Sequence, residues 1–288
     1  QRGKVLAAAV DLRTVAAVSE NGLGEIRILS EGYPLTRVSL HDLFVHTEES
    51  GTTASLIRGV AAAFTQRGAA LRGFDAYAAS TVLPGSGLSS SAAFEVLVGT
   101  VINSLFYGGK CTPVEIAQIG QYAENVYFGK PCGLMDQMAS SVGGIITIDF
   151  EKGEPVAVNG KKLGAVELLT ELNEIADHAG LTHEYAAITE ELRTVSSVFG
   201  KEVLREVPEH DFYERIATVR RAAGDRAVLR AIHFYEDNKR VDREVKALER
   251  GDFGAFLDAV NESGRSSWLY LQNIVPTGAT DRQEMAFA

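Results

Sequence analysis

The pattern of apolar and polar residues changes about halfway along the chain. In the first half, short apolar and β-branched runs alternate with longer segments in which apolar residues recur at helical spacing. The runs predict strands at 4–12, 14–19, 73–82 and 145–149, and the longer segments predict helices at 55–66, 91–106 and 113–128. Thr112, Pro113 and Glu115 have the spacing of a capping box at the start of the last helix.

The second half is richer in charged residues at helical spacing. It follows a loop at 151–162 that contains glycine, proline and three lysines, and helices are predicted at 183–196, 211–225, 227–250 and 252–263. A length of 288 residues favours two domains. We therefore expect an α+β protein, with a mixed-sheet N-terminal domain at 1–160 and a helix-rich α+β C-terminal domain at 161–288.

Composition narrows the possible partners and the compartment. A net charge of −10 argues against a nucleic-acid-binding surface, which needs clustered lysine and arginine. No apolar stretch approaches 18 residues, so no membrane partner is expected. Only two cysteines are present, which favours a reducing compartment, and we expect a cytoplasmic protein. The chain opens on Gln1 and ends in a helix-like pattern, so we expect a piece of a longer protein.

A turn rich in glycine and serine lies between a predicted strand and a predicted helix. This order suits polyphosphate binding, because glycines let the backbone approach an anion and the N–H groups at a helix start point towards it. The alternative is a tight turn followed by a serine N-cap, which needs no ligand. The candidate nucleotide-binding residues are Gly85, Ser86, Gly87, Leu88, Ser89, Ser90 and Ser91.

Residues 84–93, PGSGLSSSAA, resemble the second signature of the kinase superfamily that includes galactokinase, homoserine kinase, mevalonate kinase and phosphomevalonate kinase. In that superfamily this loop wraps the phosphates of ATP. The resemblance implies phosphate contacts from Gly85, Gly87, Ser90 and Ser91, with Ser91 also a Mg²⁺ ligand. It also implies the fold of these two-domain small-molecule kinases.

Two carboxylates are candidates for the chemistry. From position alone, Glu124 reads as a solvated helix residue and Asp136 as an N-cap or turn residue. However, residues 132–137, CGLMDQ, resemble the galactokinase segment that carries the catalytic aspartate, and 122–129, YAENVYFG, also match. The resemblance implies that Asp136 faces the anomeric hydroxyl of the sugar, that Glu124 is a second Mg²⁺ ligand, and that Gly133 contacts the sugar through its backbone.

Residues 177–185, DHAGLTHEY, resemble the galactokinase stretch whose tyrosine hydrogen-bonds the sugar, which implies that role for Tyr185. The residues just before it depart from the family, since 174–177 read EIAD where galactokinases usually carry Thr-Gly-Gly-Ser. Gly180 also replaces a usual aspartate. These departures concern the fit of the sugar pocket more than the phosphate site.

The resemblance as a whole implies ATP-dependent, Mg²⁺-assisted phosphorylation of galactose at its anomeric hydroxyl. Two alternatives stay open: another sugar or small-alcohol kinase of the superfamily, and a non-catalytic sensor of galactose and ATP. Two further family signatures are expected outside the chain, one before Gln1 and one after Ala288. A protein that lacked both is expected to show little kinase activity.

Overall fold

The computed structural model describes residues 1–82, 87–152, 155–157, 182–275 and 277. Its contacts divide the chain into two compact units: Ala8–Gly144 forms one, and Gln1–Ala7 together with Ile145–Ala288 forms the other. The boundary thus differs from the one expected near residue 160. The reason is that the first strand of the chain lies beside the strand that starts at Ile145, so both belong to one sheet. The assignment of ATP binding to one domain stays a prediction.

The described residues contain strands, α-helices, two 3₁₀ turns and two π-helical segments. The strands are β1 (Lys4–Ala8), β2 (Thr14–Glu20), β3 (Glu25–Ser30), β4 (Thr36–Ser39), β5 (Phe74–Ser80), β6 (Ile145–Asp149) and β7 (Pro155–Ala157). The α-helices are α1 (Thr53–Gln66), α2 (Ser90–Phe106), α3 (Pro113–Tyr122), α4 (Met135–Val142), α5 (Thr182–Ser197), α6 (Glu209–Glu214), α7 (Ile216–Ala223), α8 (Asp225–Glu249) and α9 (Phe253–Ser266). The 3₁₀ turns are Thr47–Glu49 and Leu204–Glu206, and the π-helical segments are Ala123–Phe128 and Ser267–Leu271.

The sheet of unit 8–144 is mixed, as the sequence analysis expected. Its strand order is β2-β5-β3-β4, and β3 runs parallel to β5 while the other neighbours are antiparallel. Alternate residues of β3 and β5, among them Ile26, Ile28 and Phe74, are buried in the core. The same core contains Phe64 of α1 and Ile102 of α2, so one face of the sheet packs on helices.

The predicted helix at 113–128 is a composite. It starts as α3 with the predicted capping box: Thr112 Oγ1 accepts from Glu115 N at 3.2 Å, and Glu115 Oε2 accepts from Thr112 N at 2.8 Å. From Ala123 it continues as a π-helix to Phe128 and ends at Gly129, whose φ is 80°. Left-handed backbone after a helix end favours glycine. The strands β3 and β4 and the helix α4 were not predicted.

The other unit contains a small sheet in the order β1-β6-β7 and the helices from α5 onward. The prediction of one helix at 211–225 was wrong, because Arg215, at φ −104° and ψ 15°, separates α6 from α7. A core around Phe212, Val195 and Leu204 joins α5 and α6 to α8. Among the described residues, no helix combines the length and the apolar character needed to cross a membrane.

Candidate active site

The turn before α2 is described only in part. Of the predicted nucleotide-binding residues, Gly85 and Ser86 lie outside the described residues, and the described part runs from Gly87 through Leu88 to the start of α2. The residue before the helix, Ser89, makes no side-chain capping bond. The serine N-cap that offered the ligand-free alternative is therefore not formed by Ser89.

The backbone of this turn adopts a left-handed conformation at two positions. Gly87 has φ 73°, which costs a glycine little, and Ser89 has φ 59° and ψ 50°. A residue with a Cβ pays about 1–2 kcal/mol for this conformation. Left-handed residues in a turn can direct successive backbone N–H groups towards one point, and such turns form anion-binding concavities. Together with the start of the 17-residue helix α2, this turn provides donors suited to phosphate oxygens.

Two of the predicted site residues meet, although 33 positions separate them in the chain. Ser91, the second residue of α2, donates its hydroxyl to Glu124 Oε1 at 3.0 Å. Glu124 is the second residue of the π-helix and is only 3% exposed. The expectation of a solvated helix residue does not hold for Glu124, because the wide turn places its side chain in the interior. π-Helical turns of this kind are frequent at functional sites.

The two oxygens of the Glu124 carboxylate contact different groups. Lys130 Nζ lies 3.3 Å from Oε1, the oxygen that Ser91 also contacts, while Gln137 Nε2 donates to Oε2 at 2.8 Å. The side chain of Lys130 is 52% exposed, so its ammonium can move into solvent. One oxygen of Glu124 is therefore held from inside, and the other faces groups that a ligand can displace.

The pair formed by Ser91 and Glu124 fits a magnesium ion. Mg²⁺ binds oxygen ligands at about 2.0–2.1 Å in octahedral geometry, so two neighbouring ligand oxygens lie about 2.9 Å apart. The observed distance of 3.0 Å between Ser91 Oγ and Glu124 Oε1 matches that separation. A hydroxyl and a carboxylate are also the oxygen donors that this hard cation prefers. These two residues could hold the ion together with phosphate oxygens.

Asp136 lies in the first turn of α4 and is half-buried. Within the described part of the chain, no hydrogen bond or ion pair involves its carboxylate. Gly133 is exposed two residues before the helix, and a Cβ added to it would meet nothing within 4 Å. The approach to these two residues is thus open enough for a small ligand.

The segment that carries Asp136 is tied to the preceding helix by its backbone. Asn125 Oδ1 accepts from Cys132 N at 2.7 Å, and Gln121 Nε2 donates to Cys132 O at 3.3 Å. Burial, followed by a hydrogen bond with Glu124, raises the pKa of the Cys132 thiol well above its usual range. The thiol therefore stays protonated, which argues against a role for Cys132 as a nucleophile.

A buried carboxyl group on α2 belongs to the same cluster and was not predicted from the sequence. Glu95 is 1% exposed, and burial together with the charge of Glu124 raises its pKa to about 9. Gln137 Nε2 donates to Glu95 Oε2 at 3.1 Å. The spacing contained a signal, since Ser91 and Glu95 are four residues apart and so share a face of a helix whose neighbours are mostly apolar.

Tyr185 lies in the other compact unit, in the first turn of α5, and 48% of its surface is exposed. The residues on its N-terminal side, 174–181, which include the departures from the family pattern, lie outside the described residues. The role of Tyr185 in sugar binding stays a prediction.

Comparisons with known proteins show the family to which the chain belongs. The family described as "GHMP kinases N terminal domain" matches residues 55–144, which include α2 and the π-helix. A second family, the arginosuccinate synthase C-terminal domain, matches residues 134–185, half of which lie outside the described residues. Galactokinase from Streptomyces coelicolor is 32% identical over 277 residues, which cover 92% of this chain and 68% of that protein.

Solved structures share the fold. A galactokinase from Lactococcus lactis, complexed with galactose, has a TM-score of 0.78 at 22% identity and is matched over 96% of this chain and 72% of its own. A phosphomevalonate kinase from Streptococcus pneumoniae has a TM-score of 0.55 at 14% identity, over 95% of this chain and 75% of its own. At these identities the likeness concerns the fold alone.

The α+β fold with its mixed sheet and the match of residues 55–144 to the GHMP kinase N-terminal domain show a small-molecule kinase of the GHMP class. Within that class, identity to the Streptomyces protein over most of both chains is decisive, and the chain belongs to the galactokinase family.

Proposed function

We propose that this protein transfers the γ-phosphoryl group of ATP to the anomeric hydroxyl of galactose, which yields galactose 1-phosphate and ADP. The observation that carries the proposal is the meeting of Ser91 Oγ and Glu124 Oε1 at 3.0 Å in a chain of the galactokinase family. Phosphoryl transfer depends on positioning and on electrostatic stabilisation of the phosphate oxygens, and this pair supports both.

The roles follow from the chemistry of each group. The N–H groups at the start of α2 bind the phosphates, while Ser91 and Glu124 hold Mg²⁺. When bound, Mg²⁺ supplies positive charge that offsets the negative charge on the phosphate oxygens. Gly133 and Tyr185 are the proposed sugar contacts. Two unpaired cysteines support a reducing compartment, so we place the reaction in the cytoplasm.

Asp136 is the proposed catalytic carboxylate. It orients the anomeric hydroxyl and takes its proton, while the sugar oxygen forms a bond to the γ-phosphorus and the bond from that phosphorus to the leaving oxygen of ADP breaks. Its support is a half-buried carboxylate without a partner among the described residues, at the start of α4 and beside an open approach at Gly133.

Sugar-dependent ADP release tests the substrate and the catalytic residue together. We expect turnover with galactose and little with N-acetylgalactosamine, arabinose or homoserine. Asp136→Asn should lower kcat by about 10²–10⁴-fold with ATP binding retained, whereas Asp258→Asn, on an exposed position of α9, should change nothing.

Each alternative has its own outcome. A preference for N-acetylgalactosamine or arabinose would indicate another sugar kinase of the class. Binding of ATP and galactose without turnover would indicate a sensor. Wild-type kcat in the Asp136→Asn protein would rule out the proposed role of that carboxylate.

A further inference from the structure

The proposed function does not explain the buried carboxyl group of Glu95. Glu95 lies on α2 one turn after Ser91, and its side chain is as inaccessible as that of Gln137 on α4. The two side chains are joined by the hydrogen bond from Gln137 Nε2 to Glu95 Oε2, at 3.1 Å. Ionisable side chains are rarely buried, and those that are buried are usually paired or hydrogen-bonded, because burial of an isolated charge costs much free energy.

Gln137 connects this carboxyl group to the proposed metal ligand. Its amide nitrogen carries two hydrogens, and a second contact runs to Glu124 Oε2 at 2.8 Å. A longer contact, at 3.8 Å, reaches Cys132 Sγ. Because two carboxylate oxygens face this end of the amide, it must be the nitrogen end. The plane of the Gln137 amide is therefore set by Glu95 and Glu124 together.

The side chains of Glu95 and Gln137 pack closely against α3. A Cβ added to Gly120 of α3 would lie 3.1 Å from Glu95 Oε2 and 3.2 Å from Gln137 Cγ. The two side chains thus lie against the helix backbone itself, and a Cβ at this position would push them aside by a few tenths of an ångström. A side chain that is confined on this side and hydrogen-bonded on the other keeps one orientation.

Two buried oxygens of the pair have no hydrogen-bond donor among the described residues: Glu95 Oε1 and Gln137 Oε1. One proton on Glu95 Oε1 would turn that atom into a donor to Gln137 Oε1 and would satisfy both atoms at once. The result is an acid–amide pair with a donor and an acceptor on each partner. The charged groups around Glu95 are Glu124 on the π-helix, Asp136 on α4 and Lys130 in the segment between them.

The geometry points to Glu95 as a positioning residue that acts through Gln137. The two side chains form a buried carboxyl–carboxamide pair that holds Glu124 Oε2, so that Glu124 Oε1 stays directed at Ser91 and at the divalent cation. This inference rests on the metal role of Ser91 and Glu124 in the proposed function. It adds that α2 contributes twice to the site, once through Ser91 and once through a residue that never touches the ligand.

The test compares Mn²⁺ binding, read from the paramagnetic resonance of free Mn²⁺, in the presence of a non-hydrolysable ATP analogue and without sugar. Glu95→Gln keeps the pair, because its amide can donate to Gln137 Oε1 and accept from Gln137 Nε2, so binding should stay close to wild type. Glu95→Ala and Gln137→Leu break the pair and should weaken Mn²⁺ binding about 10- to 100-fold.

A matched control separates positioning from a general loss of stability. Asn103 is a buried polar residue of the same helix and is hydrogen-bonded to the backbone of Cys111, at 3.0 Å in both directions. Asn103→Ala should lower the unfolding midpoint and leave Mn²⁺ binding unchanged. A second readout is the infrared C=O stretch of a protonated carboxyl group in metal-free protein, which should be present in wild type and absent in Glu95→Gln.

The outcomes are distinct. Wild-type Mn²⁺ binding by Glu95→Ala and Gln137→Leu, or equal losses in Glu95→Gln and Glu95→Ala, would overturn the inference. If Glu95→Ala does not fold, the comparison of Glu95→Gln with Gln137→Leu decides. If the wild-type protein binds no Mn²⁺, the proposed metal site is wrong. If the variants show the expected changes in Mn²⁺ binding but the protein does not phosphorylate galactose, only the proposed sugar substrate is wrong.

Discussion

Replacing Gly59 by alanine should disturb the candidate site without touching any of its side chains. Gly59 lies on α1, where that helix packs against the π-helix that carries Glu124. A Cβ on Gly59 would lie 2.8 Å from both Cα and Cβ of Ala123, and 2.9 Å from the ring of Tyr127. Ala123 directly precedes Glu124, so any relief of the clash moves the backbone of the site.

The size of the effect can be worked from these distances. Carbon atoms pack at about 3.5–4.0 Å, so the two helices must separate locally by about 0.7 Å or more. Overpacking of this kind costs about 1–3 kcal/mol, and the better helix propensity of alanine returns at most about 1 kcal/mol. We expect a net loss of about 1–2 kcal/mol in the free energy of unfolding. A shift of that order at a catalytic site can cost about 10²-fold, so kcat should fall by about 10- to 100-fold.

Urea unfolding and sugar-dependent ADP release measure the two effects. The matched control is Gly264→Ala on α9, an exposed position at which a Cβ would meet nothing within 4 Å. There the same substitution should stabilise the protein by about 0.5–1 kcal/mol, because only the propensity gain applies. A Gly59→Ala protein with wild-type stability and turnover would refute the reasoning, since it would mean that α1 and the π-helix can separate without a loss in the free energy of unfolding.

Three further substitutions test other parts of the structure. Glu95→Gln should gain stability relative to wild type as the pH rises from about 5 to about 9, measured by chemical unfolding without divalent cations. Burial raises the pKa of Glu95 from 4.5 to about 9, so in this pH range the folded wild type keeps a proton that the unfolded chain releases. A stability difference that stays constant with pH would contradict this prediction. Thr112→Ala removes the capping box with Glu115 and should cost about 1 kcal/mol, and an unchanged urea midpoint would argue against the cap. Arg58→Met removes a buried guanidinium bonded to Glu49 at 2.7 and 2.8 Å and should cost about 3 kcal/mol, which a thermal melt at constant pH would reveal.

Local signals predicted much of unit 8–144. The helix at 55–66 and the strand at 73–82 were recognised because their apolar residues follow a single period, and the observed α1 and β5 begin and end within two residues of them. The strand β3 was missed because charged Glu25 and Arg27 alternate with Ile26 and Ile28 over only a few residues. Its partner β4 is shorter still, and such strands are specified by pairing rather than by their own pattern.

The site residues also fall into two groups: some could be predicted from the sequence, and others depend on how the helices pack. Ser91, Glu124 and Asp136 could be predicted because each lies in a sequence motif that resembles the family, and such a motif can be recognised without a structure. Gln137 was quoted inside its motif, but its bridge between two carboxyl groups depends on α2, α4 and the π-helix packing together. The π-helix itself has no signal in the pattern of 113–128, because one extra residue in a turn changes the helical period too little to detect in a short segment.

The position of β1 in the sheet has a consequence for folding during synthesis. Unit 8–144 is continuous in sequence, and its two ends are linked by a hydrogen bond from Ala9 N to Gly144 O at 2.8 Å. The strand β1 leaves the ribosome before that unit, yet its partner β6 follows only about 140 residues later, a delay of roughly 7–28 s at 5–20 residues per second. Through that interval β1 lacks its partner strand β6, and its exposed edge is available to chaperones that bind unpaired strands.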